Sequence, residues 1–508
     1  MGVPEDRDEQ SAGQVVVIGV GQLRNNREKE PARALEPLEL IRSAVAGAAD
    51  DAGIAVSALS AVDAVGVVQV VSWSYDDLAG SVAAAIGAPG AATHVSEAGG
   101  HQPVAVLTRL AGAIAAGESE LAVVCGGEAQ SSLELLGAAK EPARAEGWSH
   151  SPGGPGGFSR ATGGTERMWD LGLVGPTRIY PLWENRLRHD LGQSFAESQA
   201  WSASMYAGFS EVAAANEAAW NREPVSADQV SGTGPKNRMI CFPYPLRMNA
   251  LNRVDQGAAL ILASPAAADR LGVAPQQRVY LHAAALDEDC EDVLERDSYG
   301  GSAGLGRSLD AALEQAGTTA DELDVVDLYS CFPVVPKLGA LHLGLDRDAA
   351  LSATGGLTSF GGAHNNYSAH ALVAVVRRLR GSGGTGLVYA NGEYLTKHAS
   401  VVLGQEPAPE GFRWSSAAAP EHGPVTVDDA YVGPLEIETY TVEFDREGEP
   451  ARGYVIGRSP RGDRVGVRVS RSDTSTLEAL VDPGGDPVGR TGSVVAENDR
   501  RLFTLARG

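Results

Sequence analysis

Cysteine is scarce and scattered. The four thiols of this 508-residue chain, Cys125, Cys241, Cys290 and Cys331, lie far apart with no CxxC pair. Neither a disulfide framework nor a zinc site is expected, no metal ligand is assigned, and a reducing, cytoplasmic setting fits. Basic charge is also short: 41 Lys and Arg stand against 65 Asp and Glu, a net −24. Nucleic acids and anionic membranes need clustered Lys and Arg, so neither is expected as a partner, although backbone N–H groups can still hold a small anion locally. No window reaches ~18 consecutive apolar residues. The opening MGVPEDRDEQSAG is acidic and carries no apolar core of an export signal. The length predicts roughly two to four units of ~100–200 residues.

What is present is a strand–helix alternation. VVVIGVG, from Val15 to Gly21, predicts a buried strand, and Leu38, Ile41, Val45, Ala48 and Ala52 recur behind it at helical spacing. Gly19 and Gly21 suggest a dinucleotide loop, but Arg24 stands where GxGxxG needs its third glycine, which argues against that site.

The same pattern returns later in the chain. AADDAGIAVSALSAVDAV places Ala52-Gly53, Leu59 and Val62-Asp63; AALEQAGTTADELDVVDL places Ala316-Gly317, Leu323 and Val326-Asp327 at identical spacing. Each copy predicts a helix closed by glycine, a turn and a strand. The repeat extends further. Gly99-Gly100-His101 precedes a helix and a strand ending VVCGGE, while Gly361-Gly362-Ala363-His364 precedes a helix and a strand ending VYANGE. Duplicated units of this kind build layered α/β domains with ligands at helix N-termini.

Residues 150–165, HSPGGPGGFSRATGGT, open a loop-rich insertion, and an amphipathic helical stretch follows from Phe195. The composition changes again over 406–424, which predicts a pliable linker. Beyond it, short β-type runs separated by Gly, Asp and Pro predict a small all-β domain.

Four segments in this order resemble the thiolase superfamily over about residues 14–404: PYPLRMNALNRVDQGAAL, DLYSCFP, GGLTSFGG and YANGEYLTKHAS. With the C-terminal β-domain, the chain is most similar to actinobacterial thiolase-like proteins commonly labelled acetyl-CoA acetyltransferases. The resemblance implies a duplicated five-layered α-β-α-β-α fold. Its first half would be 14–265, with a loop domain at about 140–240, and its second half 266–405. A linker at 406–424 would lead to an OB-like β-domain at 425–508. It further implies a coenzyme A thioester as substrate or ligand, no permanently bound cofactor, and a possible homodimer.

The thiolase catalytic positions do not carry over. Gly100 stands at or within one residue of the nucleophilic cysteine, Tyr329 replaces the Asn or His of the NEAF/HDCF motif, Gly362 replaces the GHP histidine, and Ala390 replaces the last cysteine. Ordinary thiolysis, which needs a thiolate to carry the acyl group, is therefore not expected. The candidate catalytic residues are Tyr329, His364, His101 and Tyr367. The candidate substrate-binding residues are Gly100, Gly361, Gly362, Asn366, Asn391 and Cys331. A histidine at a helix N-terminus is held neutral, tyrosine can donate to a developing oxyanion, and asparagine can supply oxyanion-type donors. Cys331 follows a strand rather than opening a helix, which fits an inert buried thiol better than a nucleophile. Two functions stay open: carbon–carbon bond making or breaking on an acyl-CoA without a covalent intermediate, or a non-catalytic acyl-CoA binder or supporting subunit.

Overall fold

In the computed structural model, residues 10–11, 13–157, 163–420, 423–497 and 500–506 are described. The first half runs β1 (Val16–Arg24), α1 (Pro37–Asp51), β2 (Ala64–Val67), α2 (Leu78–Ala85), β3 (Ala92–Val95), α3 (Gln102–Ala115) and β4 (Leu121–Ala129). The insertion follows, carrying α4 (Pro176–Asp190), α5 (Phe195–Ala215) and β5 (Met239–Phe242), and β6 (Asp255–Ala263) returns to the first half. The second half repeats the plan with β7 (Val279–Glu288), α6 (Ala303–Ala316), β8 (Val325–Leu328), α7 (Val334–His342), α8 (Tyr367–Ser382), β9 (Thr385–Gly392) and β10 (Lys397–Gly404).

The duplication shows in the pairing. β2 lies parallel to β4 and β8 parallel to β9; β4–β6 and β9–β10 are antiparallel, as are β6–β1 and β10–β7. The two half-sheets join where Val16 and Val17 of β1 meet Tyr280 and Val279 of β7, giving the order β8-β9-β10-β7-β1-β6-β4-β2-β3. β4 and β6 are buried along their whole lengths, and residues 121–125 of the first and 257–263 of the second read as continuous small-apolar runs. α1 packs on the first half and α6 on the second, while α3 and α8 touch each other and strands of both halves. This is the mixed α/β thiolase-like fold, and its core places two helix N-termini at the centre of the molecule.

The C-terminal region is all-β apart from one short helix. β12 (Gly433–Phe444), β13 (Pro450–Arg458), β14 (Arg464–Val469), β15 (Thr491–Glu497) and β16 (Arg500–Leu505) follow the order β13-β14-β16-β15-β12, and pairing of β13 with β12 closes the barrel. β5 of the insertion adds to this sheet, with Val442 opposite Phe242. Phe242 also joins the barrel core with Leu435, Ile437 and Phe503. The barrel thus shares a strand and part of its core with the insertion.

The linker expectation for 406–424 needs correction. β11 (Arg413–Ser416) lies within that segment and runs parallel to β7, Arg413 opposite Ala283 and Ser416 opposite Leu286. Phe412 is fully buried, and a Cβ on Gly112 of α3 would come within 3.0 Å of the Trp414 indole nitrogen. Proline and glycine frequency suggested a mobile joint, but the Phe412–Trp414 anchor and the free edge of β7 outweigh composition.

Candidate functional site

The two central helices begin beside one another and are stitched together there. The Asn365 side chain accepts from Gly99 N at 2.9 Å and donates to Gln69 O at 2.9 Å, and Ser368 Oγ donates to Gly100 O at 2.7 Å. Tyr367 opens α8, wholly buried, and its ring meets Tyr329 edge-on at 5.6 Å. Burial pushes both phenols above their usual value, so they serve as donors and not as bases.

Glycine gives way to larger polar side chains around this point. A Cβ on Gly100 would sit 2.2 Å from the Tyr329 hydroxyl and 2.6 Å from Asn391 O. Tyr329 therefore fills the space into which a side chain at position 100 would project, where the sequence resemblance looks for a thiolase cysteine. A Cβ on Gly126 would meet Asn366 Oδ1 at 2.2 Å, and one on Gly392 would meet His101 Nδ1 at 2.3 Å. On the far side of the loop, a Cβ on Gly362 would come within 2.9 Å of Asn252 Oδ1, and one on Gly361 within 2.7 Å of Gln256 Oε1. Asn252 thus crowds position 362, where the sequence resemblance looks for the GHP histidine.

Several buried polar atoms here have no hydrogen-bond partner among the described residues: His101 Nδ1, both amide atoms of Asn366, and Asn391 Oδ1. Gln102 Nε2 lies 3.2 Å from His101 Nε2, an arrangement that leaves the ring proton on Nδ1. Asn391 Nδ2 donates to Tyr180 Oη at 2.6 Å and reaches Cys331 Sγ at 3.8 Å. Unsatisfied polar groups in a buried cluster mark a place for a ligand or water. Burial pulls His101 down to about 3 and His364 down to about 4, so both are neutral near pH 7. Burial pushes the Cys331 thiol up to about 12, as an inert core thiol requires. His364 has φ of 43°, a strained left-handed backbone for a residue with a side chain.

The contacts bring together Gly100, His101, Tyr329, Cys331, Tyr367 and Asn391, with Asn366 beside Gly126. Gly361 and Gly362 face the 249–256 loop.

A cavity of about 480 Å³ adjoins the same glycine loop at Thr358 and Ser359. Arg24, Arg27, Arg222 and Arg247 line it against one carboxylate, Glu223. Backbone carbonyls hold the first three: Arg24 donates to Ala219 O, Arg27 to Trp220 O and Arg222 to Ala214 O. Arg27 also lies over the Trp220 ring at 5.5 Å, and Arg247 Nη1 is buried with no hydrogen-bond partner among the described residues. Among the described residues none of the four pairs with a carboxylate. A chain of net −24 has nonetheless gathered fixed, uncompensated positive charge in one cavity, which suits a phosphorylated ligand.

Comparison with known proteins agrees with this geometry. A solved structure described as a monomeric SCP2-thiolase-like protein type 1 from Mycobacterium smegmatis is 30% identical, with a TM-score of 0.81 over 97% of this chain and 99% of that one. The chain belongs to the thiolase-like type 1 family. Residues 418–499 match the model of the additional C-terminal domain of thiolase-like protein type 1. The fold is also that of an Ltp2–ChsH2(DUF35) aldolase, at 18% identity and a TM-score of 0.59 over 77% of this chain and 98% of that one. It is shared too with the dimeric peroxisomal thiolase of Saccharomyces cerevisiae, at 12% identity and a TM-score of 0.55 over 77% of this chain and 98% of that one. No curated protein matches.

For this type 1 member, sequence reasoning missed the arginine cavity, because its arginines come from three separate segments. Arg24 drew attention only as the residue that breaks a dinucleotide motif. Tyr180 was missed because nothing in its helix signals a bond to Asn391. Asn365 and Ser368, in contrast, stood inside the quoted loop and needed only the pairing of the two helix ends to show their role.

The buried histidines give a pH prediction. His101, His364 and His370 are lowered to about 3, 4 and 3, each by burial. The unfolded chain takes up these protons near its ordinary pKa of ~6.5, so the stability they contribute is present above that value and lost as pH falls through it. Each group adds a slope of up to ~1.4 kcal/mol per pH unit. Glu128, Asp255 and Asp327, raised by burial to about 7, 6 and 6, act in the opposite sense. Comparing variant with parent cancels these other groups. His370 stacks at a tilt on Phe360 and reaches Gln22 Oε1 at 3.0 Å. His370→Gln should flatten the acid limb of urea unfolding midpoints between pH 7.5 and 5 by up to one such slope; an unchanged limb would show that His370 titrates normally.

Proposed function

We propose that this protein binds an acyl-CoA thioester and makes or breaks a carbon–carbon bond without a covalent acyl-enzyme. The observation that carries the reading is the cavity of four carboxylate-free arginines, which shares Thr358 and Ser359 with the loop leading to the central helix ends. It would hold the phosphates of coenzyme A and direct the thioester toward Asn391, Tyr329 and His101. In a retro-aldol step, a base takes the β-hydroxyl proton, a C=O bond forms at the β-carbon, and the Cα–Cβ electron pair moves onto an enolate thioester that is then reprotonated at the α-carbon. Neutral His364 can take a proton, while the Nδ1–H of His101, Tyr329 and backbone N–H groups donate to the enolate oxygen. The shared fold with an aldolase supports this class of chemistry.

A second reading, a non-catalytic acyl-CoA binder or a subunit supporting a partner, is favoured by the crowding of Gly100 and Gly362 by Tyr329 and Asn252. A cytoplasmic setting belongs to the proposal, as does a homodimer through the edge strand β3. Among the described residues no helix is long and apolar enough to cross a membrane, and no group of three or more His, Cys, Asp or Glu could hold a metal ion.

The test is a panel of acyl-CoA esters followed by mass spectrometry for both binding and turnover. Proton transfer typically contributes ~10²–10⁴-fold. On a substrate so found, Tyr329→Phe and His101→Ala should lower kcat by about 10²-fold or more with little change in binding. Binding without turnover would select the second reading. Failure of every ester to bind would overturn both.

A further inference from the structure

A second basic cavity lies away from the thioester site, on the β-barrel. At about 880 Å³ it is larger than the first, and it is lined by Arg178, Arg452, Arg468, Arg471 and Arg500 against Glu443, Asp445 and Glu497. It sits on the seam where the barrel is thinnest, since β14 meets β16 through the single pairing of Arg468 with Leu502.

The charges are unevenly compensated. Arg471 is matched by Asp445 at 2.9 Å. Arg178 takes Glu443 at 3.0 Å, leaving Arg452 at 4.0 Å from the same carboxylate. Arg468 is anchored by the carbonyl oxygens of Leu171 and Asp170, which fix its guanidinium without cancelling its charge. Arg500 makes no ion pair with a carboxylate among the described residues. Arg468 is pulled below the ordinary arginine value, first by burial and then by the charges of Arg452, Arg500 and Arg178. Holding like charges together costs stability unless an anion relieves it.

We infer that the groove between Arg452, Arg468 and Arg500 is a phosphate-binding site on the barrel, separate from the cavity that contains Arg24 and Arg222. Its ligand is a phosphomonoester or diphosphate group, with Phe444, Ala451 and Leu502 offering a small apolar wall for the rest of the molecule. Arg468 is the fixed centre of the site. Arg452 and Arg500 close on the anion from β13 and β16.

Isothermal titration of the full chain with pyrophosphate in 20 mM salt tests this. The expected result is saturable binding in two classes, one weakened at least tenfold by Arg452→Gln with Arg500→Gln and kept in Arg24→Gln with Arg222→Gln, which removes only the other. Both Arg452 and Arg500 are surface residues, and circular dichroism checks that the fold is kept. Titrations with coenzyme A, dephospho-coenzyme A and 3′,5′-ADP then distinguish a coenzyme phosphate from a free phosphorylated compound. No binding at millimolar pyrophosphate, or binding untouched by the Arg452/Arg500 pair, overturns the site. Loss of binding only in the Arg24/Arg222 pair would also overturn it, while leaving the thioester reading intact.

Discussion

Gly100→Cys, which returns a thiol to the position of the thiolase nucleophile, is expected to produce no thiolysis and to lower the thermal midpoint by several degrees. The new Cβ would lie 2.2 Å from the Tyr329 hydroxyl and 2.6 Å from the carbonyl oxygen of Asn391. Tyr329 is held by its backbone bond to Tyr389 O at 3.0 Å and by its edge-on contact with Tyr367. Tyr389 and Tyr367 are themselves buried. Overpacking of this kind costs about 1–3 kcal/mol, and a clash with backbone lies at the upper end. Combining Gly100→Cys with Tyr329→Ala should recover part of the loss, since the hydroxyl contact disappears and the Asn391 carbonyl contact stays. Differential scanning fluorimetry and an acetoacetyl-CoA thiolysis assay check both statements. Thiolase activity in the single variant would mean that Tyr329 swings aside, and the centre would then have to be redrawn.

The same exchange of glycine for side chain explains what the sequence did and did not disclose. The halves were legible because each repeats a helix ending in glycine, a turn and a Val-Asp step at the strand, Val62-Asp63 in one and Val326-Asp327 in the other; Gly53 and Gly317 close α1 and α6 with φ of 70° and 68°. The loss of thiolase catalytic residues was legible from single positions. What filled the vacated space was not, because Tyr329 reaches Gly100 from 229 residues further along the chain, and only packing makes such a pair meet. The barrel's runs of β-branched residues predicted strands correctly, yet gave no sign that Met239–Phe242 would join them. That strand is only four residues long, and its partner β12 lies some two hundred residues away. The arginine cavities were hidden by net charge: −24 describes the whole surface and says nothing about where a minority of cations collects.

Lys337→Met is expected to be the most destabilising single change away from the centre, by about 3–5 kcal/mol, and to weaken acyl-CoA binding as well. The Lys337 ammonium and the Glu184 carboxylate are each 1% exposed and 2.5 Å apart. Lys337 also donates to Ser198 O at 3.2 Å and lies over the Trp201 ring at 4.8 Å. Glu184 accepts from Tyr244 Oη and Ser198 Oγ, both at 2.8 Å. Burial lowers the pKa of Lys337 from its ordinary value, with Glu184 opposing that shift. The pair fastens α7 of the second half to α4 and α5 of the insertion. Removing the lysine leaves the buried Glu184 carboxyl without its cationic partner, which is the costly arrangement. Replacing both, as Lys337→Met with Glu184→Leu, removes that charge and should cost less than the sum of the two single changes in urea midpoints. Phe332 stands just before α7, stacks on Tyr180 at 4.7 Å, and Tyr180 holds Asn391. A shift of α7 therefore travels through Phe332 and Tyr180 to the group proposed to face the thioester, so binding should fall with stability in Lys337→Met and recover in part in the double variant. Full binding in a destabilised Lys337→Met would show that the strut supports the fold alone.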